Sequence, residues 1–406
     1  MKSKTSKNVI LAMTILYYVL CFISDSLPGG QLLIAIPLAI MLFIYLYSNK
    51  GVIRFGARGY FAYIIVFLAF CALSRLWAED PRLAVSKINS LLFALLAMIV
   101  IVICTYSMRD VDLLLKTIMY GGYLVCLFIA FRYGWSGILG LVRSGARIDN
   151  EILNANTIGM CASYSIVINV YYVLYRKIKP IDFAMLPTIV LLIVSESRKA
   201  IAIVVMGVFA LILLKNINNK NILRTMFRIV FISALLIGII FLLSRLPVFS
   251  PITAKFKNLI SLLQGNESRG TSSSWIRLAY IDLGWKLFKA HPWVGIGIAN
   301  ANIYTSMYYG NNHYLHNNFI ELLACGGIIG FLIYYSMWIY LLYVFIKNRN
   351  YKDSKYNICF ILLIIHMVMD YGLVSYYSKG TYVFLFLFWL EAKQLIDKKR
   401  SGRLSE

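Results

Sequence analysis

Charge is scarce in the apolar runs of this chain, and it sits at Arg75, Arg132, Arg198, Glu321, Asp370 and Glu391. In hydrocarbon such groups persist only when paired or turned toward a wet cavity, so each is a functional candidate. Arg75, Arg198, Glu321 and Asp370 fall near the outer ends of their predicted spans, where His313, His316, Asn317 and Asn318 also lie. This grouping predicts a polar cavity at the outer leaflet, not at the midplane where secondary transporters bind their cargo. Two chemistries suit it. An imidazole can accept a proton near neutral pH, and guanidinium groups hold phosphate through paired hydrogen bonds. On residue type alone His316 reads more readily as an interfacial cap of the next helix than as a base, and Arg198 could be a side chain reaching to the interface.

Metal chemistry has no comparable signature. The seven cysteines, Cys21, Cys71, Cys104, Cys126, Cys161, Cys325 and Cys359, lie in apolar stretches without paired spacing. They read as small buried hydrophobes, with no disulfide framework and no zinc site. The four histidines lack an HExxH arrangement, and no outside carboxylate cluster suits magnesium.

The elements that must position these residues are membrane spans. Of 406 residues 60 % are hydrophobic, about 244, and about twelve spans of about 20 residues would need about 240. Only 14 % are charged, where soluble proteins have about a quarter, and the mean hydropathy is +0.75. Soluble enzymes, disulfide-stapled secreted scaffolds and disordered chains are excluded. The expected class is an all-α polytopic membrane protein.

Apolar runs near 9–23, 32–47, 60–77, 88–106, 111–133, 157–174, 181–195, 199–214, 229–244, 317–346, 356–371 and 381–391 supply the spans. With both termini inside, every inside segment carries Lys or Arg, from Lys2, Lys4 and Lys7 to Lys398, Lys399 and Arg400, as the positive-inside bias requires. That bias explains the net charge of +23 without invoking nucleic acid. The first run lacks a small-x-small cleavage site and reads as an anchor, not a signal peptide. The expected organisation is a bundle of about nine spans over 1–244, an extracytoplasmic loop over 245–316, and about three spans over 317–406. A shorter outside loop covers 134–156.

The long loop is the only soluble-sized piece. Its middle, 264–274, is rich in Gly and Ser and predicts flexibility. Trp275–Ala290 has apolar residues at helical spacing with Arg277, Lys286 and Lys289 on the polar side, the pattern of an interfacial helix. The loop carries Arg245, Lys255, Lys257, Arg269, Arg277, Lys286 and Lys289 against Glu267 and Asp282. That excess could anchor the loop to an anionic leaflet or hold a phosphorylated lipid.

The order of motifs narrows the choice. His316-Asn317, nine residues, then Gly327-Ile328-Ile329-Gly330 resembles the H-[NSQ]-x9-G-x-x-G signature of the O-antigen ligase and polymerase family. Ser197-Arg198-Lys199-Ala200 resembles its Ser-Arg-small motif. Arg277 followed by His291-Pro292-Trp293-Val294-Gly295-Ile296-Gly297 resembles its R…P-x-x-G-x-G stretch. Asn154–Gly159 and Leu73–Pro81 resemble weaker upstream blocks. The strong part spans roughly 185–342.

The resemblance implies a GT-C-like helical fold and a metal-independent, inverting glycosyltransferase without cofactor. Its substrate would be an undecaprenyl-pyrophosphate-linked oligosaccharide, used at the outer face of the bacterial cytoplasmic membrane. Arg198 and Arg277 would neutralise the leaving pyrophosphate, and His316 would take the proton of the attacking hydroxyl. Arg269, Arg147, Asn317, Asp370 and Trp275 would bind pyrophosphate or sugar. Gly327 and Gly330 would let helices pack closely behind the histidine, and His366 would be a packing residue. Repeat-unit polymerisation leads, with ligation of finished glycan to lipid A core or another acceptor beside it. A flippase or transporter of the lipid-linked sugar is the alternative of another class. Membrane lipids, a chain-length regulator and a flippase are the expected partners; nucleic acid is not.

Overall fold

The computed structural model describes residues 4–24, 30–54, 56–106, 109–144, 148, 153–216, 227 and 273–402. Among them the secondary structure is helical: α1 Lys4–Ile23, α2 Gly30–Ser48, α3 Arg58–Leu73, α4 Pro81–Thr105, α5 Val111–Ser144, α6 Ala155–Tyr175, α7 Met185–Val194 and α8 Arg198–Asn216. There follow α9 Ser273–Ala290, α10 Ala301–Tyr309, α11 Asn318–Lys347, α12 Ser354–Met369 and α13 Lys379–Arg400. Among the described residues seven helices are long and apolar enough to cross a membrane, and Leu32–Ser48, Pro180–Val194 and Ser354–Met369 are shorter apolar helices. The chain is a polytopic helical membrane protein.

Two expected runs differ from the rest. The run 229–244 lies outside the described residues. The run 381–391 is helical within α13, whose charged last turns, Lys398, Lys399 and Arg400, set it apart from the long apolar helices. The outside loop expected from residue 134 is also shorter than its sequence suggested. Helix α5 resumes after a break at Gly134 (φ 69°, ψ 149°) and continues to Ser144. Glycine takes that positive φ without a Cβ clash, so it redirects the helix instead of ending it.

The chain forms two compact units. The first comprises 1–51, 110–257 and 349–365; the second comprises 52–109, 258–348 and 366–406. In the first, α6 packs on α5, α7 and α8, and α1 packs on α2 and α5. Small residues bring the backbones together, as is usual between membrane helices. A Cβ on Gly122 would lie 2.7 Å from the Cys161 carbonyl oxygen, and one on Gly207 would lie 2.7 Å from a Val167 methyl.

In the second unit α11 packs on α3, α9 and α13, and α4 packs on α3 and α13. Its core is aromatic. Phe67 lies 5.1 Å from Tyr334, and Trp338 stacks on His366 at 5.1 Å and 12°. Local signals set the helix starts. Asp80 caps α4 through the Arg82 N–H (2.9 Å) with Pro81 in the first turn, and Asn317 caps α11 through the Ile320 N–H (3.1 Å).

Candidate active site

The second unit is built around a backbone joint. Helix α11 breaks at Gly327 (φ 60°, ψ −169°), a conformation essentially reserved for glycine. A broken helix leaves carbonyls and N–H groups that apolar surroundings cannot satisfy. The loop 292–297 satisfies them here. Ile296 and Gly297 N–H groups donate to the Ala324 and Cys325 carbonyls at 3.0 Å each, and Ile328 and Ile329 N–H groups donate to the Pro292 and Trp293 carbonyls at 2.8 and 3.1 Å. Gly295 (φ 68°) makes the approach possible: a Cβ there would lie 2.6 Å from the Cys325 carbonyl oxygen.

The Pro-x-x-Gly-x-Gly and Gly-x-x-Gly motifs are therefore two halves of one structure. Gly330 does the expected work, since a Cβ there would reach within 2.5 Å of Phe70 on α3. Gly327 differs from expectation: it breaks the helix instead of easing helix contact.

The upstream block Leu73–Pro81 holds the other side of that loop. Trp77 Nε1 donates to the Val294 carbonyl (3.2 Å), and the Ile298 N–H donates to Ser74 Oγ (3.2 Å). The buried Asn300 side chain accepts from the Asp80 N–H at 2.7 Å and donates to the Asp80 carbonyl at 3.3 Å.

The segment beyond α10 then delivers His316. Its φ of 57° is left-handed, which is uncommon for a residue with a Cβ and costs about 1–2 kcal/mol. Bonds on both sides enforce it. The Leu315 N–H donates to the Glu321 carboxylate (2.8 Å), Asn317 caps α11, and the Asn318 N–H donates to the Asp370 carbonyl (2.7 Å). Such overdetermined strain clusters at functional sites.

The His316 ring lies parallel to Tyr280 of α9 (6.0 Å, 2°) and tilted against Tyr314 (4.3 Å, 53°). Helix α9 is held to α11 by its Tyr280, Leu283, Gly284 and Leu287 face. A Cβ on Gly284 would lie 2.8 Å from Leu315 Cδ1. The helix expected at Trp275–Ala290 is thus present, and the buried face that sequence spacing assigned to a membrane surface is seated on protein.

Arg277, one turn before Tyr280, acts on the same phenol that His316 touches. Burial pushes the Tyr314 phenol above its ordinary value, Arg277 pulls it back and Glu321 adds to the rise. Trp275 extends the aromatic row, edge-on to Tyr309 (6.4 Å, 83°), which in turn meets Tyr280 (5.4 Å, 65°). Arg277, His316, Asn317 and Trp275 are thus gathered in one unit around Tyr280, Tyr309 and Tyr314.

Asp370 lies differently from a substrate-binding group. It is 1 % exposed, and its carboxylate accepts from Ser375 Oγ (2.6 Å), Tyr335 OH (2.9 Å) and Asn318 Nδ2 (3.2 Å). The Asn318 side-chain oxygen in turn accepts from the Ser375 and Tyr376 N–H groups at 2.9 and 3.2 Å. Its carboxylate oxygens face protein donors, so Asp370 bears on His316 through Asn318. Asp370→Ala would leave three buried donors without this acceptor, at about 1–3 kcal/mol each. A clearly lowered thermal unfolding midpoint in detergent is the expected result, and a midpoint equal to wild type would contradict it.

Lys87 escaped the sequence reading because it stands one residue before the run at 88–106. Its Nζ lies 3.9 Å from the centre of the Tyr377 ring, within the field of the Glu321 carboxylate. Tyr377 is in turn electrostatically coupled to Tyr314, the phenol against which the His316 ring is tilted. Only the register of α4 against the 370–378 turn could reveal it.

Arg198 lies in the first unit, where it opens α8. Ser197 Oγ accepts the Ala200 N–H (3.4 Å) and Ser195 Oγ accepts the Ser197 N–H (3.3 Å), a local cap that sets the direction of the turn. Glu196 takes a left-handed φ of 48° and is 6 % exposed, a buried acid beside Arg198 that motif reading passed over. The Asn154–Gly159 block meets this turn: a Cβ on Gly159 would lie 2.5 Å from Ser195 Oγ. Arg147 and Arg269 lie outside the described residues. Among the described residues no group of three or more His, Cys, Asp or Glu side chains is placed to hold a metal ion.

Comparison with known proteins meets the same residues. No curated protein matches the chain. Residues 183–335 match the O-Antigen ligase family, an interval that takes in the Ser197–Ala200 turn, α9, the 292–297 loop, His316 and the Gly327 break. In this polytopic membrane protein, the segment 183–335 is similar to the O-antigen ligase family.

Proposed function

We propose that this protein polymerises undecaprenyl-pyrophosphate-linked oligosaccharide units into O-antigen or capsular polysaccharide at the outer face of the cytoplasmic membrane. The observation that supports the reading is the His316 ring held against Tyr314, a phenol within the electrostatic reach of Arg277, on a scaffold made of the Pro-x-x-Gly-x-Gly loop and the Gly327 break.

In the reaction the anomeric C–O bond to the lipid pyrophosphate breaks as a hydroxyl of the next unit attacks from the opposite face. This inverts the anomeric centre. His316 accepts the hydroxyl proton. Arg277 and Arg198 neutralise the charge growing on the leaving pyrophosphate, a preorganised stabilisation that needs no metal. Lys87, half-buried beside Glu321, supplements the positive charge. Trp275 and Tyr309 offer ring faces to sugar, Asn317 holds the histidine backbone, and Arg147 and Arg269 supply further phosphate contacts. The glycan-loaded lipid is handed over by a flippase, and a chain-length regulator is the expected partner.

Each of Arg277→Ala and Arg198→Ala is expected to lower turnover about 10²–10³-fold, the usual effect of removing one charge-stabilising donor. The assay is gel analysis of glycan made by membranes containing equal amounts of each variant. Full-length polymer from either variant would refute the role assigned to that arginine.

Ligation is the second reading, favoured by the description of the matched family. Purified protein given one lipid-linked oligosaccharide and no other acceptor separates the two. A ladder of lengthening products is the polymerase result. Silence until lipid A core or another foreign acceptor is added is the ligase result.

A further inference from the structure

A second concave site lies at the end of the second unit where α3 begins and α13 ends. Its cavity of about 480 Å³ is floored by Met337, Tyr340, Trp389 and Ile396 and edged by Lys393 and Arg400. The volume falls in the range of small-ligand sites. On α13 the residues Trp389, Lys393, Ile396 and Arg400 follow the spacing that places side chains on one helix face. The two cations stand about 10 Å apart along the axis.

Charge at this rim is positive on balance. Asp397 is shared between Arg109 at 2.9 Å and Lys393 at 3.6 Å, and Arg400 is exposed. The neighbouring face of α11 exposes Ile339, Tyr343 and Ile346, each more than half accessible. Apolar surface on that scale in a membrane helix is covered by acyl chains, and the cavity opens beside it. Arg58, Lys347, Lys398 and Lys399 lie at the ends of the same helices, and the positive-inside bias assigns that end to the cytoplasmic leaflet.

An apolar floor with a cationic edge selects a ligand that is a chain at one end and an anion at the other. We propose that this cavity binds an anionic phospholipid of the inner leaflet, with its phosphate between Lys393 and Arg400 and an acyl chain along Met337, Tyr340 and Trp389. A zwitterionic headgroup would bring its ammonium to an edge already positive. Free phosphate would leave the floor uncovered. Basic pockets between helices on the cytoplasmic side recognise lipid headgroups in this way. The inference is independent of the glycan chemistry, and its test reads lipid alone.

The full-length protein, purified in detergent, is incubated with equimolar phosphatidylglycerol and phosphatidylcholine of identical chains, and bound lipid is counted by native mass spectrometry. Wild type is expected to prefer phosphatidylglycerol about thirtyfold, the factor that two lipid-facing cations confer at about 1 kcal/mol each. Lys393→Gln combined with Arg400→Gln should reduce the preference to about twofold or less. Gly59→Trp provides a second arm. Gly59 lines the cavity and a Cβ there meets nothing within 4 Å, so an indole is accommodated at the cavity wall and should lower retention of both lipids. Equal retention of the two lipids by wild type, an unchanged preference in the double variant, or displacement by inorganic phosphate alone would each overturn the proposal.

Discussion

His316→Ala is expected to lower glycan transfer about 10²–10⁴-fold, the usual contribution of a positioned general base, in protein that still inserts and unfolds normally. The separation from a structural effect comes from the backbone. His316 is held at φ 57°, and alanine in that region carries about the same cost as histidine, about 1–2 kcal/mol. Glycine removes that cost. His316→Gly should therefore be as stable as His316→Ala or more so, and just as inactive. A merely structural histidine predicts the opposite coupling, with activity returning as stability does. Transfer within tenfold of wild type in either variant would end the assignment of His316 as base.

The largest loss of folded protein is expected at Gly327, for a different reason. Its φ and ψ of 60° and −169° lie where a Cβ is barely tolerated, at about 1–3 kcal/mol. That Cβ would also fall on the Trp293 carbonyl, with Val294 N 2.5 Å away. Overpacking against backbone adds about 1–3 kcal/mol. Gly327→Ala should thus cost about 4 kcal/mol. It should open the joint that carries both motif loops, seen as loss of the monodisperse species in size-exclusion chromatography and a lowered unfolding midpoint. Gly326→Ala is the matched control. Its Cβ would sit 3.4 Å from Phe70 Cε1, a contact the ring can accommodate by a small shift. If Gly327→Ala behaved like Gly326→Ala, the broken-helix joint would not be what holds the site.

The two expectations differ in how far sequence could have supplied them. Interest in His316 follows from one dimension: an imidazole next to Asn317 at the mouth of an apolar run, at a fixed distance from two glycines. Interest in Gly327 does not. In sequence, Gly327 and Gly330 are equivalent small residues in a membrane helix. Gly330 meets Phe70, as helix packing requires, while the break at Gly327 frees its neighbours Ala324, Cys325, Ile328 and Ile329 to exchange backbone hydrogen bonds with the 292–297 loop. Asp370 illustrates the same limit. Its charge beside an apolar run marked it for function, yet its carboxylate is taken up by Ser375, Tyr335 and Asn318.

Sequence by itself determined the solvent and the inventory: an all-helical membrane protein with imidazole and guanidinium groups near span ends. Hydropathy sums over short windows and charge is excluded from hydrocarbon, so both properties are local and survive without coordinates. Tertiary structure alone decided that the Pro-x-x-Gly-x-Gly loop completes a broken helix, that α9 is seated on α11, and that Lys87 reaches Tyr377. Each depends on the register between segments far apart in the chain, and register is set by close contacts at single glycines and buried polar pairs that no periodicity records.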